Sequence, residues 1–162
     1  TGKRARYGGR LTDMGIIEKQ EGTLLFSTDP RLLDIDLIHA FLSGESYWVP
    51  GIRRDKLETA IAHSLCFAVY DGGRQVAFAR VVTDRVGFAY LADVFVIPER
   101  RGEGLAKRLM AFVLEHPDLQ GLRRFALATR DAHGLYAQFG FRPLTAPERW
   151  MERFDGEALS RP

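Results

Sequence analysis

Between Val96 and Ala106 the chain reads Val-Ile-Pro-Glu-Arg-Arg-Gly-Glu-Gly-Leu-Ala, an apolar strand pattern that passes through two closely spaced glycines into a helical one. Such a turn exposes unpaired backbone N–H groups. With the positive end of a helix dipole and Arg101 beside them, those donors suit an anionic group such as a pyrophosphate. Gly102 and Gly104 would let a phosphate approach without a Cβ in the way, and the same glycines would serve a plain strand-to-helix loop. Two familiar phosphate motifs do not fit. A P-loop ends in Gly-Lys-Ser/Thr, and Leu105-Ala106-Lys107 stands here instead. A dinucleotide fingerprint needs a small third residue where Lys107 sits, and an acidic residue about twenty positions on, where Arg123 and Arg124 stand.

Arg101-x-x-Gly104-x-Ala106 after a β-strand does resemble the phosphate-binding signature of the GNAT superfamily of acyl-CoA N-acyltransferases. A second stretch, Ala128-Thr129-Arg130-Asp131-Ala132-His133-Gly134-Leu135-Tyr136-Ala137-Gln138-Phe139-Gly140-Phe141, resembles that family's later strand, its tyrosine-bearing helix and the Gly-Phe that ends it. The two occur in the family's order, one helix and one strand apart, and the resemblance covers roughly Thr23 to Phe154. Ala106 stands where many relatives carry glycine. The resemblance implies acetyl-CoA as co-substrate and N-acetylation of a primary amine of a small molecule or peptide, by direct transfer in a ternary complex. It implies that the strand holding Asp93 splays from the next parallel strand and that backbone groups of Val94, Phe95 and Val96 hold the pantetheine arm in the opening. Arg101, Gly102, Glu103, Gly104, Leu105 and Ala106 would cradle the pyrophosphate, and the Tyr136 hydroxyl would point at the thioester sulfur. The loop between the first two helices, with Tyr47 and Trp48, would wall the acceptor site together with Asp93 and His133.

An amine resembling lysine has a pKa of about 10.4, so near pH 7 only about one molecule in 2,500 is neutral, a cost of roughly 4.6 kcal/mol. Asp93 is the sole acidic or basic residue in Phe88 to Ile97 and a candidate base, provided burial raises its pKa or a water relays the proton. The competing expectation is an ion pair with Arg80, on the neighbouring apolar strand, and the hairpin register decides between them. Glu99, Glu103 and His133 are further candidates for the base. For Tyr136 the expectation is general acid at the departing thiolate; an ordinary helix aromatic packed on Phe139 would leave the same trace. Trp48 could equally anchor its loop to the core, and Arg53 and Arg54 could attract an acidic acceptor or simply be solvated. Cys66 reads as a small hydrophobe opening a strand, with a covalent acyl-cysteine route as the minor alternative. His39, His63 and His116 show no metal-ligand spacing, so no metal is expected.

These residues need a scaffold. Thr23 to Phe26 reads as a strand, and Ser27-Thr28-Asp29-Pro30 as a helix start leading to an apolar stripe at Leu33, Leu37, Ile38 and Phe41. Leu57, Ala60, Ile61 and Leu65 mark a second helix. Cys66–Tyr70, Gln75–Val82 and Phe88–Ile97 read as a meander of strands. A third helix opens at Gly102 or Glu103 and ends after His116. Arg124–Thr129 is a strand, His133–Phe139 a short helix, and Arg149–Phe154 a last amphipathic strand. The order β-α-α-β-β-β-α-β-α-β predicts an α/β fold with a central mixed, mostly antiparallel twisted sheet. It has helices on both faces and one β-α-β crossover between parallel strands, the acyl-CoA-binding crossover of the resemblance.

The 162 residues and 46% hydrophobic content fit one compact domain, expected over residues 23–154, with a flexible basic arm at 1–22 and a tail at 155–162. No apolar run reaches the length of a membrane span. A net charge of +2 names no partner, and a lone cysteine excludes a disulfide framework and fits a cytoplasmic protein. A homodimer is compatible with the chain. Two readings from other classes stand beside the enzyme. One is an acyl-CoA-binding sensor that has lost turnover. The other, nucleic-acid binding through Lys3, Arg4, Arg6 and Arg10, is the weakest.

Overall fold

The computed structural model describes residues 15–162, so the basic residues Lys3 to Arg10 lie outside it. Six strands form one sheet in the spatial order of the chain: β1 (Glu18–Glu21), β2 (Leu24–Ser27), β3 (Leu65–Asp71), β4 (Arg74–Thr83), β5 (Phe88–Val96) and β6 (Arg124–Leu127). All neighbours are antiparallel except β5 and β6, which are parallel, as the expected crossover requires. The helices are α1 (Ile35–Gly44), α2 (Arg54–Ala62), α3 (Leu105–Leu114) and α4 (His133–Ala137).

The alternation of side chains on β2, β3 and β4 sets the two layers. Phe26 and Phe67 meet Phe112 of α3 on one face, with ring centroids 5.6 and 5.9 Å apart. On the other face Phe78 and Phe95 meet Phe41 of α1, which stacks on Phe95 at 4.0 Å and 11°. Phe26, Phe67, Phe78, Leu42, Leu57 and Leu109 are fully buried, so both layers close over a packed core. Among the described residues no helix is long and apolar enough to cross a membrane.

Four expectations are corrected. Glu18–Glu21 is a strand where a flexible arm was expected: its Glu-Lys-Gln-Glu run is solvated and carries no apolar alternation, yet it completes an edge ladder on β2. The first helix begins at Ile35, not at the Ser27–Pro30 start expected, because two aspartates cap in succession. Asp29 accepts from Arg31 N–H at 2.9 Å over a single turn, and Asp34 accepts from Leu37 N–H at 3.0 Å over α1. The third helix starts at Leu105, since the left-handed φ of 76° at Gly104 makes it the N-cap. Finally, Arg149–Phe154 is not a strand. Met151 is 96% and Phe154 81% exposed, and no sheet face lies under them.

Candidate active site

β5 and β6 pair from Phe88–Arg124 to Leu91–Leu127 and then part, while β5 runs on to Val96. From Ala92 onward the β6-facing edge of β5 is therefore unpaired, and Val94 and Val96 are half-buried along it, with Phe95 turned into the core. On the other side of β5 the ladder to β4 also shifts. Arg80 faces Ala92 and Phe78 faces Phe95, so β5 holds one extra residue between these pairs. That bulge contains Asp93, whose φ is 54°. A bulge bends its strand and re-aims a side chain, and here it coincides with the opening.

The opening leads to the turn before α3. Gly102 (φ 81°) and Gly104 (φ 76°) are both left-handed, a region where a side chain costs energy. A Cβ built on either would meet nothing within 4 Å, so both glycines face open space. The end of α3 has no side-chain cap, which leaves its first N–H groups free. Arg101, Gly102, Glu103 and Gly104 are exposed, Leu105 is buried and Ala106 half-buried. Arg100 engages both nearby carboxylates, Glu103 at 2.8 Å and Asp71 at 2.7 Å. Among the described residues no carboxylate pairs with Arg101. Its Nε donates to the Val96 carbonyl at 3.3 Å and its guanidinium lies 6.0 Å from the Phe41 ring centre. The turn thus offers backbone donors, one unneutralised guanidinium and a helix N-terminus, which fits a diphosphate.

Tyr136 projects from α4, is 8% exposed, and packs edge-on against Phe141 rather than Phe139, with centroids 6.0 Å apart. Burial, with smaller contributions from Tyr47 and Asp131, pushes its hydroxyl up to about 12. His133, at the start of the same helix, is exposed. Of the two expectations for Asp93, the ion pair is what the fold contains. Arg80 Nε donates to Asp93 Oδ2 at 2.7 Å, and Trp48 Nε1 donates to Asp93 Oδ1 at 3.0 Å. Arg80 is fixed in turn by Nη1 to the Ser64 hydroxyl at 3.0 Å. Both carboxylate oxygens are thus engaged, and the side chain is 5% exposed.

Tyr47 and Trp48 meet edge to face at 5.0 Å, 42% and 38% exposed. Trp48 both anchors its loop, through Asp93, and keeps a face open to solvent. Arg130, on the loop after β6, is a residue sequence reasoning missed. Its guanidinium lies 3.8 Å over the Tyr47 ring and its backbone N–H donates to the Tyr47 hydroxyl at 3.0 Å. The partners are 83 residues apart, so no local spacing signals the contact. Phe41, wedged between Phe95 and Arg101, was legible only as a core residue of α1. Cys66 is buried, and burial pushes its thiol up to about 12, which keeps it neutral and a poor nucleophile.

A model of the Acetyltransferase (GNAT) family matches residues 35–141. A Gibberella zeae protein provisionally named an acetyltransferase is 34% identical over an alignment of 139 positions that covers 72% of this chain and 77% of that one. Thialysine N-epsilon-acetyltransferase of Mus musculus is 37% identical over 75 residues, 43% of this chain and 44% of that one. A crystal structure from Xanthomonas campestris pv. campestris, provisionally described as an acetyltransferase of the GNAT family, superposes with a TM-score of 0.83 at 55% identity. It covers 85% of this chain and 97% of that chain. The splayed parallel pair, the uncapped glycine turn before α3 and the agreement over more than half the sequence lead to one conclusion: the chain belongs to the GNAT family of acetyltransferases.

Proposed function

We propose that the protein moves an acetyl group from acetyl-CoA to a primary amine of a small molecule or peptide, by direct transfer with both substrates bound. The observation that carries the reading is the parting of β5 from β6 after Leu91, and the uncapped glycine turn before α3 and the buried Tyr136 of α4 support it. Acetyl-CoA, when bound, supplies the activated thioester. Arg101 and the free N–H groups at Gly104 to Ala106 hold its diphosphate, and the edge of Val94 to Val96 offers hydrogen-bonding groups to its arm. The name of the murine relative, an N-epsilon-acetyltransferase, supports nitrogen of an amine as the acceptor atom.

Tyr136 works as a hydrogen-bond donor to the sulfur. A phenol held near 12 remains protonated throughout the neutral range, so its O–H is always available. Giving that proton outright to a thiolate of ordinary pKa, about 8.5, is uphill by about 5 kcal/mol. The hydroxyl therefore hands its proton on only while it takes another, from the acceptor nitrogen or from water. With Asp93 occupied by Arg80 and Trp48, the first proton of the ammonium leaves to solvent or to a bound water, not directly to that carboxylate.

Calorimetric titration with acetyl-CoA, with NAD as control, tests the reading. Micromolar affinity is expected, lost in Arg101→Glu, followed by thiol release when primary amines are added. A folded protein that does not bind acetyl-CoA overturns the reading, and tight binding without thiol release for any amine makes the chain an acyl-CoA sensor.

A further inference from the structure

A cavity of about 820 Å³ lies where β3 begins at Leu65 and β4 ends at Thr83, closed by the last turn of α2 and by the Pro117 turn that follows α3. α3 runs from the turn at Gly104 to His116, so its roughly 15 Å of helix separates this cavity from the glycine turn. The size suits a small molecule, and the walls are largely apolar, with Ile16, Ile17, Ile61, Leu65 and Pro117 among them. His116, Asp118 and Arg85 line it too, and their polar atoms are under-used. Arg85 Nη1 and Asp118 Oδ2 stand 3.2 Å apart, yet both are buried and neither makes a hydrogen bond among the described residues. His116, 8% exposed, accepts the Asp118 N–H on Nδ1, so its neutral ring carries the proton on Nε2, for which the described residues supply no acceptor. Buried polar groups are normally bonded, and here donors and an acceptor are left over together. The arrangement is also held in place. Arg85 keeps a left-handed φ of 65°, costly for any residue with a side chain, in a turn fixed by Asp84 Oδ1, which accepts the N–H groups of Val86, Gly87 and Phe88 at 3.0, 2.8 and 3.0 Å.

We propose that this cavity is a second binding site, for an uncharged molecule with an apolar body and a primary carboxamide head. The body lies against Ile61 and Leu65, the head carbonyl accepts from the Arg85 guanidinium, and the head NH₂ donates to the Asp118 carboxylate. Charge balance selects an uncharged ligand. Arg31, the other arginine of the lining, pairs with Asp29 at 2.7 Å, so each arginine has its own carboxylate and no net charge is left to draw an ion. A carboxylate head would meet Arg85 only by approaching Asp118, and an ammonium head the reverse. A carboxamide carries an acceptor and a donor side by side, which matches a guanidinium and a carboxylate 3.2 Å apart. The site stands apart from the cleft, and the inference does not depend on acetyl transfer.

The test titrates hexanamide into the full ¹⁵N-labelled chain without acetyl-CoA and follows the amide shifts. Saturating shifts are expected at Ile17, Leu65, Arg85 and Asp118 and not at Val94 to Ala106, with a Kd of about 10 mM or tighter, in keeping with so small a ligand. Hexanoate, which is charged, and N,N-dimethylhexanamide, which has no N–H to give Asp118, are expected to bind at least about fivefold more weakly. Ile61→Trp fills the apolar end and is expected to weaken hexanamide about tenfold or more. Asp118→Asn keeps the shape, leaves Arg85 without its counter-charge, and is expected to turn the preference toward hexanoate; it decides the matter alone if Ile61→Trp does not fold. No saturation by about 50 mM hexanamide, or shifts centred on Val94 to Ala106, overturns the site. Hexanoate binding as tightly as hexanamide to the wild type, or a preference that Asp118→Asn leaves unmoved, overturns the carboxamide assignment.

Discussion

Burial of the Tyr136 phenol favours its neutral form, and the sign of that effect fixes how the reaction responds to pH. Because the hydroxyl is pushed up to about 12, it keeps its proton at every pH at which the protein is assayed, and its ionisation limits nothing below about pH 11. The quantity that does change is the free-base fraction of the amine, which grows tenfold per pH unit until its own pKa near 10.4. With L-lysine as acceptor, log kcat/KM is expected to climb with a slope near one from pH 6 to about 9, with no downturn. Tyr136→Phe should lower kcat by about 10²- to 10⁴-fold while retaining the upward slope. A downturn near pH 8 to 9 in the wild type that Tyr136→Phe removes would show that the phenol ionises early and refute the hydrogen-bond role. Tyr136 was legible because a motif surrounds it. Arg80 was legible as a partner of Asp93 only as an alternative, and Trp48 was not legible as one, since one inserted residue in β5 decides which way the carboxylate points and no single-residue signal marks a bulge.

Elements join where a polar residue caps one and packs on another, and His116 does both. It stands at the end of α3 and caps the turn at Pro117–Leu119: its Nδ1 accepts the Asp118 N–H at 3.2 Å, which requires that nitrogen to be unprotonated. The ring lies edge-on to Phe67 at 5.5 Å. Burial lowers its pKa below the ordinary 6.5, with Asp118 opposing and Arg85 reinforcing the shift. The unfolded chain therefore takes up this proton at a higher pH than the folded one. The stabilisation is fully present above about pH 6.5 and fades as pH falls toward the lowered folded value. His116→Asn keeps a capping side chain without a titrating ring. Between pH 7 and 5 the wild type should lose more of its urea midpoint than this variant does, and parallel losses would show that His116 carries no linkage. Elements with an apolar stripe, such as α1 and α3, could be read from the sequence, whereas the solvated edge strand β1 could not. An exposed strand is specified by its neighbour's unpaired backbone, not by its own side chains.

At the scale of the whole molecule, the order of strands and helices from β2 to α4 followed from hydrophobic periodicity because each of those elements buries one face in the common core. The segment after Phe141 obeys no such constraint, and there the expected strand failed. The family match also ends at Phe141. Residues 150–162 are exposed throughout and reach the rest of the protein through a few surface contacts. The Leu159 carbonyl accepts the Arg53 N–H at 3.0 Å, the Ala158 carbonyl accepts Lys56 Nζ at 2.5 Å, and Arg124 stacks on Trp150 at 4.8 Å. Deleting residues 155–162 removes the first two. One backbone hydrogen bond is worth about 1 kcal/mol net, and an exposed charge-assisted contact to a carbonyl adds at most about as much. For a chain of this size each kcal/mol moves Tm by roughly 2 to 4 °C. The truncated protein is therefore expected to melt in one cooperative transition, lower by about 2 to 8 °C, with acetyl-CoA affinity unchanged because these tail contacts reach Arg53 and Lys56 and none reaches the turn before α3. A Tm lower by more than about 15 °C would mean that this tail is part of the folding unit, and that the sheet between β1 and β6 does not suffice to hold the cleft open by itself.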